Sequence, residues 1–324
     1  MSDETRPGSQ TAFVFPGQGS QAVGMGKTLA DSFPVAKAVF DEVDSALGEH
    51  LTRVMWDGPV EELTLTANAQ PALMAVSLAA MRVLESEAGV DLARDAAFVA
   101  GHSLGEYSAL AAAGSLSIAD AARLLRIRGR AMQEAVPVGE GAMAALLGLD
   151  YDQAVAVAAE ASQGEVCEAA NDNAPGQVVV SGSRAAVERA IEIAKEKGAM
   201  KAILLPVSAP FHCRLMAPAA EAMAKALAEV SVRAPVVPLV ANVRAAPVTG
   251  ADEIVRLLVE QVTDTVRWRE SMIYMAGAGV NRFVEVGAGK VLSGLVRRID
   301  RKLGVANVGV AEDVAAFIAA RESA

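Results

Sequence analysis

The chain is poor in the residues that mark several common protein classes. Its 324 residues include only two cysteines, Cys167 and Cys213, and their spacing fits neither a metal site nor a disulfide framework. No apolar run reaches the ~18 residues that a membrane-spanning helix needs. The first ten residues are polar and lack the apolar core of a signal peptide. We therefore expect a cytoplasmic protein that holds no metal ion.

Basic residues are also outnumbered, with 29 Lys and Arg against 39 Asp and Glu and a net charge of -10. This balance argues against a general nucleic-acid binder, which would carry a basic surface. Aromatic residues make up 4% and hydrophobic residues 52% of the chain. Ala, Val and Leu must therefore fill most of a large core. The length suggests about two domains, and nothing in the sequence demands more than a monomer.

The alternation of apolar runs predicts an α/β fold. Strands and helices of its body are expected at 11–15, 33–47, 71–87, 96–100, 104–114 and 117–134. Asn68 and Ser117 are the expected helix caps of two of these segments. Residues 140–207 follow the order β-α-β-β-α-β, which is typical of a ferredoxin-like unit. We therefore predict a body formed by 1–139 and 208–324, with a small domain inserted at 140–207.

The segment Gly101-His102-Ser103-Leu104-Gly105 matches G-x-S-x-G. It follows an apolar strand and opens a helix, which is the context of a nucleophile elbow. The glycines permit a tight turn, and the helix start offers free amides, including that of Leu104, to an oxyanion. The pattern favours Ser103 as a catalytic nucleophile over an ordinary Gly-Ser turn.

A nucleophilic serine needs a base, and the chain has three histidines. His50 lies in a polar stretch and is expected at the surface. His102 adjoins the serine in sequence, where the turn separates neighbouring side chains, so we expect a packed neighbour. Elimination leaves His212 as the base. Cys213 beside it is expected to be a buried, unreactive thiol.

Arg128 interrupts an apolar helix face. At ~100° per residue it falls among Ala121, Leu124, Leu125 and Met132. The other arginines of this helix gather on the opposite face and are predicted to be solvated: Arg123, Arg126 and Arg130. A buried guanidinium needs an anionic or polar partner. That partner is either a carboxylate of the protein, such as Glu106 or Asp120, or a carboxylate of the substrate. Periodicity alone favours neither.

Taken together, the motifs resemble those of the malonyl-CoA:acyl-carrier-protein transacylases of type II fatty acid synthesis. The resemblance runs in order through nearly the whole chain, at 15–21, 69–73, 101–110, 128–129, 173–179, 211–212, 260–261 and 285–292. It implies a hydrolase-like parallel-sheet body with a ferredoxin-like insertion. It also implies transfer of malonyl from malonyl-CoA to the pantetheine thiol of acyl carrier protein through a malonyl-serine ester, without a cofactor.

The resemblance assigns the catalytic roles residue by residue. It implies a dyad of Ser103 and His212, with the histidine oriented by the backbone carbonyl of Gln261. The backbone amide of Gln18 is implied as the second oxyanion-hole donor beside that of Leu104.

The same resemblance assigns the substrate contacts. Arg128 is implied to hold the malonyl carboxylate. Phe211, just before the histidine, implies malonyl rather than methylmalonyl as the acyl group. Asn173 is expected near the pocket.

Two other functions are compatible with parts of the sequence. A serine hydrolase such as a thioesterase is the nearest, because Asp172 and Glu196 lie between Ser103 and His212 in the order Ser, acid, His. A dinucleotide-binding module is the other, because 17–22 fits G-x-G-x-x-A after a strand. That module would need a second strand within the next ~30 residues, where 33–47 instead predicts a helix.

An acidic carrier protein would need a local basic patch on this acidic chain. Two sets of cations could form it, one in the insertion and one near the C-terminus: Lys195, Lys197 and Lys201, or Lys290, Arg297 and Arg298. The sequence favours neither set.

Overall fold

The computed structural model describes residues 9–207 and 209–322. The polar start of the chain and the predicted domain boundary at Ser208 lie outside the described residues. The strands are β1 Thr11–Phe15, β2 Phe98–Gly101, β3 Gly141–Leu147, β4 Cys167–Ala174, β5 Gln177–Ser183, β6 Lys201–Leu204, β7 Leu239–Ala241, β8 Ala246–Val248, β9 Arg282–Val286 and β10 Gly304–Val308. The helices are α1 Lys27–Ser32, α2 Pro34–Leu47, α3 Leu51–Asp57, α4 Val60–Thr64, α5 Thr66–Ala88, α6 Leu92–Asp95, α7 Gly105–Ala112, α8 Ile118–Glu134, α9 Tyr151–Ser162, α10 Arg184–Glu196, α11 Ala217–Ala228, α12 Ala251–Glu260, α13 Trp268–Gly277, α14 Val291–Ile299 and α15 Ala311–Glu322.

Six strands form the larger sheet, in the order β10-β9-β1-β2-β7-β8. Neighbouring strands are parallel except at one edge, where β8 is antiparallel to β7. At the centre, Phe15 of β1 pairs with Gly101 of β2, so the two strands end side by side. Ligands of such sheets bind outside the carboxyl ends of the strands. The loops that leave this edge carry Gln18 and Ser103.

A second sheet, wholly antiparallel, lies within residues 141–204 in the order β4-β5-β3-β6. Each β-α-β connection skips one strand, which is the split arrangement of a ferredoxin-like unit. Helices α9 and α10 pack with Ala144 and Leu146 of β3 on one face. Ala145, between them in sequence, packs against the main core instead, as strand alternation requires. The predicted α/β fold with a second, ferredoxin-like sheet is confirmed.

Helix α5 begins earlier than its sequence indicated. Its first residue is Thr66, so Asn68 is inside the helix and the predicted cap is wrong. Pro71 also lies inside the helix, where it has no N–H to donate to the carbonyl of Ala67 four residues before. The Nη1 of Arg126 on α8 donates to that carbonyl instead, at 2.8 Å.

This contact overturns the expectation that Arg126 is solvated. Arg126 is only 6% exposed and pairs with Glu49 at 3.0 Å. Helical periodicity missed it because a carbonyl freed by proline on another helix leaves no signal in the α8 sequence. Arg123 and Arg130 are exposed, and Arg128 is buried, as predicted.

Candidate active site

Ser103 lies on a sharp turn between β2 and α7. Its backbone φ is +54°, a left-handed conformation that is costly for a non-glycine residue and clusters at active sites. A Cβ on Gly101 would lie 1.9 Å from the carbonyl carbon of Gly105, and a Cβ on Gly105 would lie 2.2 Å from the carbonyl oxygen of Phe15. Backbone packing therefore requires both glycines of the G-x-S-x-G motif. The result is the strand-turn-helix geometry of a nucleophile elbow.

The Ser103 hydroxyl oxygen lies 2.7 Å from Nε2 of His212. Nδ1 of the same ring lies 2.8 Å from the backbone carbonyl oxygen of Gln261. Because a carbonyl only accepts, Nδ1 carries the proton and Nε2 is free to accept from the serine. Burial, together with the positive charge of Arg128, lowers the pKa of His212 to about 3. The imidazole is therefore neutral near pH 7, as a general base must be.

Arg128 lies beside this pair and is 1% exposed. Its Nη2 donates to the Ser103 hydroxyl at 3.1 Å and to Oε1 of Gln261 at 2.7 Å. Its Nη1 donates to Oε1 of Gln70 at 2.9 Å. Across the described residues, Nε has no hydrogen-bond partner and no carboxylate lies within 4.0 Å of the guanidinium. The internal carboxylates considered from the sequence do not pair with it, so a buried cation faces the serine with neutral partners only.

The loop that carries Gln18 lies against the elbow. A Cβ on Gly17 would lie 2.7 Å from the carbonyl oxygen of His102, so glycine is required for this approach. Leu104 precedes the first residue of α7, where backbone amides lack intrahelical acceptors. Within residues 9–207 and 209–322, neither the Leu104 amide nor the Gln18 amide has a hydrogen-bond acceptor. Both are free to donate to a ligand.

The Ser103 backbone is held by two side chains: Asn242, which the sequence did not single out, and Gln261, which it singled out only for its backbone carbonyl. Its N–H donates to Oδ1 of Asn242 at 2.8 Å, and its carbonyl accepts from Nε2 of Gln261 at 2.9 Å. Glu106 accepts from the Asn242 backbone N–H at 3.3 Å and from Nε2 of Gln261. Burial raises the pKa of Glu106 to about 7, against the opposing influence of Gln261, Asn242 and Arg128.

The sequence named Glu106 only as a possible partner of Arg128. Every residue of α7 is buried, and a lone glutamate in such an apolar helix is as conspicuous as Arg128 in α8. No comparable signal marked Gln70 or Asn242, because polar amides are common at any position.

The remaining predicted residues lie around the elbow. Nε2 of His102 lies 2.8 Å from Oδ1 of Asn173, and the ring packs against Trp268, as expected for a packed neighbour. Phe211 is 8% exposed and belongs to the main core. Cys213 is buried, and burial raises its pKa to about 11. His50 is exposed, as predicted.

The contacts of the acidic residues argue against a hydrolase triad. Asp172 is bonded through both carboxylate oxygens to Arg269, and Glu196 is exposed at the end of α10. The Nδ1 position that a triad acid would occupy is taken by the Gln261 carbonyl.

The dinucleotide alternative also fails on geometry. The 33–47 segment is helical, and in the described chain the next strand after β1 is β2 at Phe98. The second strand required ~30 residues after the glycine motif is thus missing there. Over the same described residues, no group of three or more His, Cys, Asp or Glu could hold a metal ion. None of the described helices is both long and apolar enough to cross a membrane.

An elbow serine, a neutral histidine and a buried cation on this two-sheet scaffold define an acyl transferase. The family model of the acyl transferase domain matches residues 12–316, so the chain belongs to that family.

The names of individual relatives specify the acyl group as malonyl. The malonyl CoA-acyl carrier protein transacylase of Escherichia coli (strain K12) is 49% identical over 291 residues, 90% of this chain and 93% of the relative. The crystal structure of acyl-carrier-protein-S-malonyltransferase from Bartonella henselae has a TM-score of 0.93 and 55% identity, covering 96% of this chain and 98% of that one. A malonyl-transacylase in complex with its type II PKS acyl-carrier protein has a TM-score of 0.92 and 42% identity, covering 96% and 100%. The resemblance inferred from the motifs is confirmed.

Proposed function

We propose that this chain transfers the malonyl group from malonyl-CoA to the pantetheine thiol of acyl carrier protein, supplying fatty acid chain elongation. The names of its relatives support the substrate and the acceptor. The observation that carries the proposal is Arg128, a buried cation 3.1 Å from the Ser103 hydroxyl with only neutral partners. Malonyl differs from acetyl by a free carboxylate, which is the group such a cation would bind.

In the first half-reaction, Ser103 attacks the thioester carbonyl of malonyl-CoA while Nε2 of His212 takes the hydroxyl proton. The Gln261 carbonyl holds the ring and its Nδ1–H in place as the imidazolium forms. The amides of Leu104 and Gln18 donate to the oxyanion of the tetrahedral intermediate. The carbon–sulfur bond then breaks, and Nε2–H protonates the departing CoA thiolate. A malonyl ester remains on Ser103.

In the second half-reaction, the pantetheine thiol gives its proton to His212 and its sulfur attacks the ester. The Ser103 oxygen departs and recovers the proton from Nε2. One thioester is exchanged for another, so the chemistry needs no ATP, metal or redox cofactor. The main hazard is attack by water on the ester, which a closed site limits.

Three residues are proposed to shape the acyl pocket. Arg128 would turn its Nη2 from Ser103 and Gln261 to the malonyl carboxylate. Phe211 would favour malonyl over methylmalonyl. Asn173 would act indirectly, by holding the ring of His102 beside the elbow.

The ion pairs favour one of the two candidate docking patches. Lys195 pairs with Glu192 at 2.7 Å and Lys197 with Glu160 at 2.6 Å, so most of the insertion set is neutralised. Lys290, Arg297 and Arg298 are exposed. In the part of the chain that the structure describes, these three have no ion-pair partner. We therefore propose that the acidic carrier docks on the surface formed by Lys290 and α14.

Single-turnover decay of the acyl-enzyme distinguishes this transferase from a thioesterase. Malonyl loaded on the enzyme should pass to acyl carrier protein far faster than to water, and Ser103→Ala should load nothing. Equal rates with and without the carrier would favour the hydrolase. The cytoplasmic location and the monomeric state remain predictions.

A further inference from the structure

A buried polar network behind Ser103 has no place in the steps above. Glu106, Asn242 and the side chain of Gln261 are 1%, 0% and 0% exposed. Burying a carboxylate and two amides is unfavourable unless their hydrogen bonds are satisfied. Here they satisfy one another and the backbone around the nucleophile.

The network forms hydrogen bonds with both the N–H and the carbonyl of Ser103, whose backbone conformation is strained. Asn242 accepts from the Ser103 N–H, and Gln261 donates to the Ser103 carbonyl. Asn242 also donates through Nδ2 to the carbonyl of Gly101 at 2.7 Å. A φ of +54° persists only where the surroundings over-determine it. These bonds hold the elbow from both sides.

Glu106 links Asn242 and Gln261, the two residues that bond to the Ser103 backbone. Its Oε1 accepts from the Asn242 backbone N–H, and its Oε2 accepts from Nε2 of Gln261. A guanidinium only donates, and both carboxyl oxygens of Glu106 accept from neighbouring N–H groups. The Gln261 amide between them therefore has one favourable orientation, with Oε1 toward Arg128 and Nε2 toward Glu106.

We propose that Glu106 is a positioning residue that, through Asn242 and Gln261, fixes the Ser103 backbone and keeps the Gln261 amide oxygen turned toward Arg128. The inference rests on the proposed malonyl transfer and deepens it. The buried Glu106 carboxylate thereby helps to orient both the nucleophile Ser103 and the cation Arg128, although it touches neither the substrate nor the reacting atoms.

The test uses Glu106→Gln, which keeps the shape of the side chain but replaces one acceptor by a donor. The introduced NH₂ then faces either the Asn242 N–H or Nε2 of Gln261, both of which are donors, so one of these two contacts is lost. We expect kcat to fall on the order of tenfold to a hundredfold for malonyl-CoA and acetyl-CoA alike, because a misplaced nucleophile slows attack on either. KM should rise for malonyl-CoA only. Glu285→Gln is the matched control, since Glu285 is a buried glutamate that caps α14 through the amides of Leu292 and Ser293. It should lower the melting temperature and leave kcat and KM for loading from malonyl-CoA and from acetyl-CoA unchanged.

A double-mutant cycle with Asn242→Ala tests the linkage. If both residues act through the Ser103 backbone, the double variant should lose little more than the slower single variant. Losses that multiply would overturn the network. So would a Glu106→Gln enzyme with wild-type kcat and KM, whatever its melting temperature. A wild-type enzyme that forms no malonyl-serine would instead refute the proposed function, so the two failures are distinguishable.

Discussion

Replacing Arg128 gives the most specific prediction about the substrate. In wild type, the malonyl carboxylate can take the place of the neutral acceptors on Nη2, whereas acetyl leaves the buried guanidinium without an anion. A hydrogen bond to a charged group is worth about 1.5–3 kcal/mol, and two are available in a bidentate contact. Because the contacts of Nη2 with Ser103 and Gln261 are lost when malonyl binds, the net stabilisation of the bound malonyl group is about 3 kcal/mol. That is roughly a hundredfold preference or more in kcat/KM.

Arg128→Ala removes both the benefit for malonyl and the penalty for acetyl. We expect kcat/KM for malonyl-CoA to fall on the order of a hundredfold or more, while that for acetyl-CoA stays level or rises. Arg128→Lys should restore only part of the malonyl activity, because a point charge cannot reproduce the two-pronged contact.

The assay is kcat/KM for both thioesters on wild type and the two variants. Arg126→Ala is the matched control, because Arg126 is a second buried arginine of α8 whose partners, Glu49 and Ala67, lie away from the serine. It should lower stability and leave the malonyl-to-acetyl ratio unchanged. If Arg128→Ala slows both substrates by the same factor, Arg128 is structural and the account of selectivity is wrong.

Two further predictions concern the carrier and pH. Reversing the charge at Arg297 and Arg298 should raise KM for acyl carrier protein but spare loading from malonyl-CoA, while reversal at Lys195 and Lys197 should change neither. The opposite pattern would place docking on the insertion. Because the pKa of His212 drops from 6.5 to about 3 on folding, the unfolded chain binds this proton first as pH falls, and folding stability is lost below about pH 6.5. Between pH 7 and pH 5, urea titrations should show the free energy of unfolding of wild type falling about 2 kcal/mol more than that of His212→Asn, whereas parallel losses would contradict the buried neutral histidine.

Local patterns in the sequence were enough to predict the elements that carry the site. Apolar runs located β1 and β2, and the β-α-β-β-α-β order located the second sheet. The two glycines around Ser103 were readable because backbone contacts on both sides leave no room for a Cβ. Arg128 was readable because a helix has a fixed period.

The side chains that hold Ser103 in place could not be predicted from the sequence, because they are distant from Ser103 along the chain. Asn242 and Gln261 bond to Ser103 across 139 and 158 residues, and contacts over such separations leave no local pattern. Only the resemblance to known transacylases pointed to Gln261, and then to its backbone carbonyl alone. Arg126 was misjudged for the same reason, since its partner is a carbonyl released by Pro71 on another helix.

Formation of a malonyl ester on Ser103 tests the central claim most directly. Intact-protein mass spectrometry after brief mixing with malonyl-CoA should show the added mass of one malonyl group, and peptide mapping should assign it to Ser103. Adding acyl carrier protein should remove the adduct and load the carrier, and Ser103→Ala should acquire no adduct. A malonyl group that still appears on Ser103→Ala, or an adduct that the carrier cannot remove, would contradict the proposed transfer.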